Sequence, residues 1–329
     1  MKDLIASFSA HLQDALLTLQ SFQFKAPDRA IQNVMITGLG GSGIGGSTIL
    51  DLTNSEAKVP VTVNKNYDIP AFVGRHTLVI ACSYSGNTEE TLQAVAKAEA
   101  QGAMIACISS GGQLKAKAEE KGYNCLSMIG GNAPRSMFAY PFTFLLYYLR
   151  AFGVIESDPQ SAISGAIDLL NAEEDTIRQD SEVLAQKLQN TTVQILANAG
   201  FIGVAARIRQ QLNENAKMLA WEAEVPEMNH NELVGWEGGT DQYSCLFLRN
   251  DSDNPRNLKR MDIIREIIGE KTPHVFELQS KGANNIERAL YLIHYGDWLS
   301  YYLSELNQVD IMDIKSIDLL KSELSKIPL

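Results

Sequence analysis

The chain has 329 residues, of which 45% are hydrophobic and 20% are charged, and its formal net charge is −11. At ~150 residues per domain this length predicts about two domains, and the composition excludes a disordered chain, a collagen and a disulfide scaffold. The acidic balance argues against nucleic acid and anionic membrane surfaces as partners, because both need clustered Lys and Arg. A small anionic ligand stays possible, since it needs only a local positive pocket.

The N-terminus is predicted to form an amphipathic helix with apolar residues on one face from Leu4 to Leu19. Asp3, His11 and Asp14 interrupt its apolar pattern, which a secretory signal core would not allow. The longest apolar run, residues 137–149, is too short to cross a bilayer and predicts a buried helix. Neither segment is typical of a secretory signal or of a membrane-spanning helix.

The four cysteines are far apart in sequence and lack the spacing of a zinc site (Cys82, Cys107, Cys125 and Cys245). Three of them, at positions 82, 107 and 245, lie in apolar, strand-like runs typical of reduced core thiols. We therefore expect a cytoplasmic protein with no metal site.

The first half of the chain alternates strand and helix patterns at short spacing. Strands are predicted at 33–37, 59–63, 77–82, 103–108 and 125–128. Helices are predicted from residue 42 onward and at 88–101 and 114–121. Apolar runs without alternation, separated by helices, predict a parallel sheet covered on both faces.

The second half repeats this outline after a linker-like stretch at 153–160 and a long helix at 163–188. Strands are predicted at 192–197, 243–248 and 274–278, and helices at 205–219, 258–268, 285–303 and 317–324. We therefore predict an α/β protein with two doubly wound, flavodoxin-like parallel-sheet domains, residues 1–155 and 156–329.

A glycine motif follows the first predicted strand and opens a helix. Gly38, Gly40 and Gly43 satisfy the G-x-G-x-x-G pattern of dinucleotide sites. The acid that would bond a ribose at the end of the second strand is missing, since that strand runs into Asn64 and Lys65. The motif alone therefore indicates close backbone approach to an anion at a helix N-terminus more than a nicotinamide cofactor.

A hydroxyl-rich loop follows the third predicted strand, in the sequence Ser83-Tyr-Ser85-Gly-Asn-Thr88. Three hydroxyl groups at the positive end of a helix suit a phosphomonoester, whose oxygens need several converging donors. An ordinary helix cap is the alternative interpretation. Because the glycine and serine loops end neighbouring strands, a phosphate site is favoured.

The two loops together resemble the sugar isomerase (SIS) domain, in which the serine-rich loop holds the phosphate of a phosphosugar. Two such domains, with Pro134-Arg135 and the tracts 212–217 (LNENAK) and 229–232 (NHNE), resemble the family of bifunctional phosphoglucose/phosphomannose isomerases. The resemblance covers nearly the whole chain. It implies a two-domain SIS fold, a phosphosugar substrate and no cofactor.

The resemblance also implies roles for named residues. Glu214, on the helix after the second domain's first strand, would be the carboxylate that moves a proton between C1 and C2 of the sugar. Most helix glutamates are merely solvated, which is the alternative. The fixed charge of Arg135 would stabilise an enediolate oxygen, and Gly41 and Ser42 would help to bind the sugar or its phosphate.

Ring opening is implied for His230, in a polar loop, because an imidazole pKa of ~6.5 suits proton exchange between two oxygens. In related isomerases this histidine comes from the partner subunit, which implies a homodimer. Lys321 resembles a C-terminal lysine that assists ring opening, although Lys315 and Lys326 lie close in sequence. Met312 stands where relatives often carry a threonine, which leaves the use of mannose 6-phosphate open.

These observations predict an isomerase that interconverts glucose 6-phosphate, and mannose 6-phosphate, with fructose 6-phosphate through an enediol. Two alternatives come from other classes of protein. A non-catalytic phosphosugar-binding SIS protein would keep the loops and lose the base. A nicotinamide-dependent oxidoreductase would explain the glycine motif and leave the serine loop unexplained.

Overall fold

The computed structural model describes residues 1–327 and contains two parallel sheets flanked by helices. The strands of the first sheet are β1 (Asn33–Thr37), β2 (Val61–Asn64), β3 (Thr77–Ser83), β4 (Met104–Ser109) and β5 (Asn124–Ser127). Their order in the sheet is β2-β1-β3-β4-β5, with every pairing parallel. This is the flavodoxin-like doubly wound order, in which ligands bind beyond the carboxyl ends of the strands.

The helices of the first half cover both faces of this sheet and end in a long helix that leads to the second sheet. They are α1 (Lys2–Ala6), α2 (Phe8–Ser21), α3 (Gly40–Thr53), α4 (Glu89–Ala100), α5 (Gly112–Lys121), α6 (Ala139–Ala151) and α7 (Pro159–Leu188). The N-terminal helix expected as one element is interrupted at Ser7. The apolar run predicted at 137–149 forms the buried helix α6, two residues later than expected.

The second sheet consists of β6 (Thr192–Asn198), β7 (Ala220–Val225), β8 (Tyr243–Arg249) and β9 (Val275–Gln279). Its order, β7-β6-β8-β9, repeats the first four positions of the first sheet, and its strands are again parallel. The accompanying helices are α8 (Ile202–Ala216), α9 (Glu232–Gly235), α10 (Pro255–Gly269), α11 (Asn285–Leu306) and α12 (Lys315–Leu324). The predicted fold class, with two doubly wound parallel sheets, is confirmed.

Strand β7 was missed by the sequence analysis, which extended the preceding helix to residue 219 and placed no strand after it. The helix ends earlier because Lys217 adopts a left-handed conformation with φ 55°. The strand itself reads AWEAEV, and buried Ala223 and Val225 alternate with partly exposed glutamates. Such alternation marks a half-buried strand, and β7 is indeed at the sheet edge, where only β6 pairs with it.

One continuous apolar core joins the two sheets. Helix α11 is buried along most of its length and packs against α7 and α8, while α8 also packs against α3. The start of α3 and the end of α8 are therefore held in a fixed relation. The predicted core thiols Cys82, Cys107 and Cys245 are buried and free, and Cys125 is partly buried. Within residues 1–327, no helix is both long and apolar enough to cross a membrane.

Candidate active site

The glycine turn lies at the carboxyl end of β1, as predicted, but the helix begins at Gly40 rather than at Ser42. Gly40 has φ +54°, and a side chain at Gly38 would lie 2.6 Å from the carbonyl oxygen of Cys82. Gly41 and Ser42 therefore belong to the first turn of α3, where backbone N–H groups lack intrahelical acceptors. The Ser42 N–H donates to the Leu39 carbonyl oxygen at 3.1 Å, so of these two N–H groups it is that of Gly41 that stays available at the positive end of the helix.

The serine loop at the end of β3 is a single compact turn in which the hydroxyl groups of Ser83 and Thr88 are in contact and that of Ser85 makes a separate contact. The Oγ of buried Ser83 lies 2.9 Å from Thr88 Oγ1 and accepts a hydrogen bond from the Gly86 N–H at 3.1 Å. Ser85 is exposed, and its Oγ accepts from the Asn87 N–H at 3.2 Å. Because β1 and β3 are neighbours in the sheet, this loop lies beside the glycine turn.

Arg135 lies in a single 3-10 turn just before α6, and its side chain is only 4% exposed. Nη1 donates to Glu214 Oε1 at 2.8 Å, Nε to Asn215 Oδ1 at 2.6 Å, and Nη2 to the Ile311 carbonyl oxygen at 2.6 Å. Burial lowers the pKa of Arg135, and the neighbouring Glu214 carboxylate works in the opposite direction. A guanidinium nevertheless stays charged in proteins. The structure therefore places a fixed positive charge against the predicted base.

Glu214 is near the end of α8, and its side chain is 32% exposed toward a cleft between the two halves of the chain. The cleft has a volume of about 350 Å³ and includes Gly40 and Gly41 of the glycine turn. Its other lining residues are Arg135, Arg207, Gln210, Gln211, Asn213, Glu214 and Ile317. A carboxylate, a buried cation and free backbone N–H groups thus border one cleft. These are the groups that proton transfer next to an oxyanion requires.

His230 is not brought to this cleft within one chain. It lies in a short 3-10 helix just beyond the carboxyl end of β7, and it is exposed. Glu214 is at the other end of that strand, because α8 runs back from the carboxyl edge of the sheet. Six strand residues rising ~3.3 Å each separate the two positions by roughly 20 Å.

Lys321 also remains outside the cleft, exposed on helix α12. It lies one turn after Ile317, which lines the cleft, and therefore on the same face of the helix. Of the neighbouring candidates, Lys315 pairs with Asp313 at 3.0 Å and Lys326 with Glu323 at 2.6 Å. Among the described residues Lys321 has no such ion pair.

Several residues around Arg135 escaped the sequence analysis. Arg207 and Asp297 are fully buried and form an ion pair at 3.1 Å, and buried Asn215 accepts from Arg135. A signal was present for Asp297, an acidic residue within the mostly apolar sequence of α11, but not for Arg207, which is one of several polar residues of α8. No cluster of three or more His, Cys, Asp or Glu side chains suited to a metal occurs within residues 1–327.

Solved structures define the class to which this fold belongs. The C-terminal domain of glucosamine-fructose-6-phosphate aminotransferase from Francisella tularensis superposes with a TM-score of 0.73 and 14% identity, covering 94% of this chain and 96% of that one. Tagatose-6-phosphate ketose/aldose isomerase from Escherichia coli superposes with a TM-score of 0.64 and 15% identity over 96% and 92% of the two chains. The chain therefore has the same overall fold as these two solved structures.

Sequence relatives give the particular family. The family model of the bacterial phospho-glucose isomerase C-terminal SIS domain matches residues 177–324. A bifunctional phosphoglucose/phosphomannose isomerase of Caldicellulosiruptor bescii is 37% identical and covers 93% of each chain, and one of Aquifex aeolicus is 32% identical over 90% and 91%. The chain belongs to the family of bifunctional phosphoglucose/phosphomannose isomerases.

Proposed function

We propose that this protein is an aldose–ketose isomerase that interconverts glucose 6-phosphate and mannose 6-phosphate with fructose 6-phosphate. The contact between Arg135 and Glu214, 2.8 Å long and bordering the cleft of the glycine turn, carries the proposal. A buried arginine against a partly exposed carboxylate holds the base in place and leaves one side of it open to substrate. The relatives from Caldicellulosiruptor bescii and Aquifex aeolicus are named phosphoglucose/phosphomannose isomerases, which agrees with these substrates.

The reaction needs one base and one oxyanion partner. Glu214 removes the proton from C2 of the open-chain aldose, the C1–C2 double bond forms, and the carbonyl oxygen at C1 takes the negative charge. Arg135 stabilises that enediolate oxygen as its charge develops. The protonated Glu214 then returns the proton to C1, while the proton of the C2 hydroxyl group passes to the C1 oxygen and the C2 oxygen becomes the ketone. Atoms and charge balance without a cofactor.

The phosphate is assigned to the serine loop and to the first turn of α3. Ser83, Ser85, Thr88 and Ser42 offer hydroxyl groups, and Gly41 offers a backbone N–H group at a helix N-terminus. Such groups bind a phosphate without a net positive charge. The net negative charge of the chain is therefore compatible with an anionic substrate.

A division into two domains and a homodimer complete the proposal. Residues 1–155 would carry the phosphate loops and residues 156–329 the base, the last two residues lying outside the described part of the chain. His230 would open the sugar ring in the active site of the partner subunit, because it is roughly 20 Å from Glu214 of its own chain. Lys321 would assist from α12. We place the protein in the cytoplasm, where its four free thiols stay reduced.

The proposal is tested by incubating fructose 6-phosphate with the protein in deuterated water and following deuterium at C1 and C2 of the products. We expect both aldoses to form with solvent deuterium at C2, and Glu214→Gln to reduce kcat by at least about 10³-fold. Glu182→Gln on the exposed surface of α7 is the matched control and should behave as the wild type. An inactive wild type, or an active Glu214→Gln variant, would refute the assignment.

A further inference from the structure

The side chain of Arg135 is held from behind by buried polar groups of α8 and α11. Its Nε donates to Asn215 Oδ1 at 2.6 Å, and Asn215 Nδ2 donates to Ser300 Oγ at 3.0 Å. Ser300 Oγ in turn donates to the carbonyl oxygen of Asp297 at 2.7 Å. Asn215 and Ser300 are completely buried, so this chain of hydrogen bonds is not exchanged with water.

The backbone of Arg135 is held by a second set of contacts that leads to the same residue of α11. Arg207 Nη2 donates to the Arg135 carbonyl oxygen at 2.6 Å and pairs with Asp297 Oδ1 at 3.1 Å. Asp297 Oδ1 also accepts from Gln211 Nε2 at 2.7 Å. The Arg207 guanidinium lies over the ring of Phe138, 4.9 Å from its centroid. The side chain and the main chain of Arg135 are thus fixed separately, and both connections end at Asp297.

Stability alone does not account for such an arrangement. A buried ion pair loses so much hydration that well-packed apolar residues of similar volume often stabilise a core equally or better. Catalysis has a different requirement, because a group that stabilises an oxyanion must be held within ~0.5 Å of its working position. An unrestrained arginine side chain has many rotamers and would meet that requirement only part of the time.

We propose that Asp297 and Ser300 of α11 are positioning residues for the isomerase reaction: acting through Arg207 and Asn215, they hold the Arg135 guanidinium against Glu214 without touching the sugar. The inference rests on the proposed isomerase function. It extends the machinery of the reaction to a helix that does not line the cleft.

A matched pair of serines on α11 tests the inference. Ser300 and Ser304 are both fully buried, and each Oγ donates to the backbone oxygen three residues earlier, at 2.7 and 2.6 Å. Only Ser300 also accepts a hydrogen bond from Asn215. The substitutions Ser300→Ala and Ser304→Ala therefore remove the same group from the same helix, and only one of them releases Asn215.

We expect Ser300→Ala to lower kcat for fructose 6-phosphate about tenfold, because loss of the hydrogen bond from Asn215 leaves the Arg135 guanidinium less well placed in the transition state. KM should change less than about twofold. A five-carbon sugar-acid phosphate that mimics the enediolate should bind more weakly by the same factor, whereas inorganic phosphate should bind as before. Ser304→Ala should keep the wild-type kcat, with a thermal midpoint lowered as much as in Ser300→Ala.

The ion pair is tested with Asp297→Asn and with the double variant Asp297→Asn/Arg207→Met, which removes both buried charges. We expect the double variant to regain thermal stability over the single one while its kcat stays at least about 30-fold below wild type, because the Arg135 carbonyl has lost its donor. Recovery of kcat together with stability would overturn the inference, as would equal kcat values for the two serine variants. Absence of turnover by the wild type would instead refute the proposed function.

Discussion

The distance between Glu214 and His230 within one chain leads to a prediction about mixed dimers. Glu214 is near the end of α8, and His230 is beyond the opposite end of β7. Because the strand alone extends roughly 20 Å, a sugar of about 6 Å carbon-chain length, at ~1.3 Å per C–C step, cannot touch both. If both residues act on one substrate, each site must combine Glu214 of one subunit with His230 of the other.

The assay combines two inactive chains, Glu214→Gln and His230→Ala, co-expressed with different affinity tags. A mixed dimer then has one site with both changes and one site with neither. Random pairing makes half of all dimers mixed, so the preparation should regain about a quarter of the wild-type activity in a two-fold symmetric dimer. Dimers purified through both tags should have about half, measured as glucose 6-phosphate formed from fructose 6-phosphate.

A second pair of chains provides the control. Arg135 and Glu214 contact each other at 2.8 Å within one chain, so Arg135→Ala and Glu214→Gln impair sites that no exchange of subunits repairs. Their mixed dimers should be no more active than the parents. Doubly tagged dimers of Glu214→Gln with His230→Ala that show only parental activity would contradict the shared site.

Two further predictions concern stability. Gly86 has φ +69°, and a Cβ there would overlap the Gly111 carbonyl oxygen. Gly86→Ala should therefore lower the free energy of unfolding in urea by roughly 2–4 kcal/mol. Gly102→Ala should lower it by only ~1 kcal/mol, because Gly102 has φ +72° but open space around it. Burial raises the pKa of Asp51 to about 6, despite a hydrogen bond from the Gly203 N–H at 2.6 Å. A carboxyl group whose pKa is higher in the folded than in the unfolded protein destabilises the fold above the folded pKa, and this cost vanishes below the unfolded pKa. Asp51→Asn should therefore stabilise the protein by on the order of 1–3 kcal/mol at pH 8 and not near pH 4. An equal gain at both pH values would contradict this reasoning.

The two turns that follow β1 and β3 could be predicted from the sequence because the residues that form them are local. A glycine at φ > 0 and a hydroxyl-rich turn each follow an apolar strand, and parallel strands deliver both loops to one edge of the sheet. The start of α3 was predicted two residues too late, since glycines favour a loop by propensity. Tertiary packing overrides that preference here, because the close approach of helix and turn requires a glycine inside the helix. A side chain at Gly43 would lie 2.5 Å from the Gly38 carbonyl oxygen.

The edge strand β7 and the buried charges could not be predicted in the same way. Residues 221–225 alternate apolar and polar, and the expectation of uniformly apolar strands does not extend to a sheet edge. Asp297 is visible in the sequence only as an exception within a mostly apolar helix, and Arg207 is one of several polar residues of α8. Which exceptions meet depends on how α8 and α11 pack, and that relation joins residues 90 positions apart.

The packing also explains how residues from both halves of the chain meet at the candidate site. Arg135 comes from the end of the first sheet's unit, Glu214 from α8 of the second, and the two contact each other only because α3, α8 and α11 share one core. Two guanidinium groups, Arg135 and Arg207, then face two carboxylates, Glu214 and Asp297, so these four side chains sum to no net charge. In the proposed mechanism, the attraction for a phosphosugar therefore comes from hydroxyl groups and helix N–H dipoles, while the arginine closest to the proposed base stabilises the charge that develops on the enediolate.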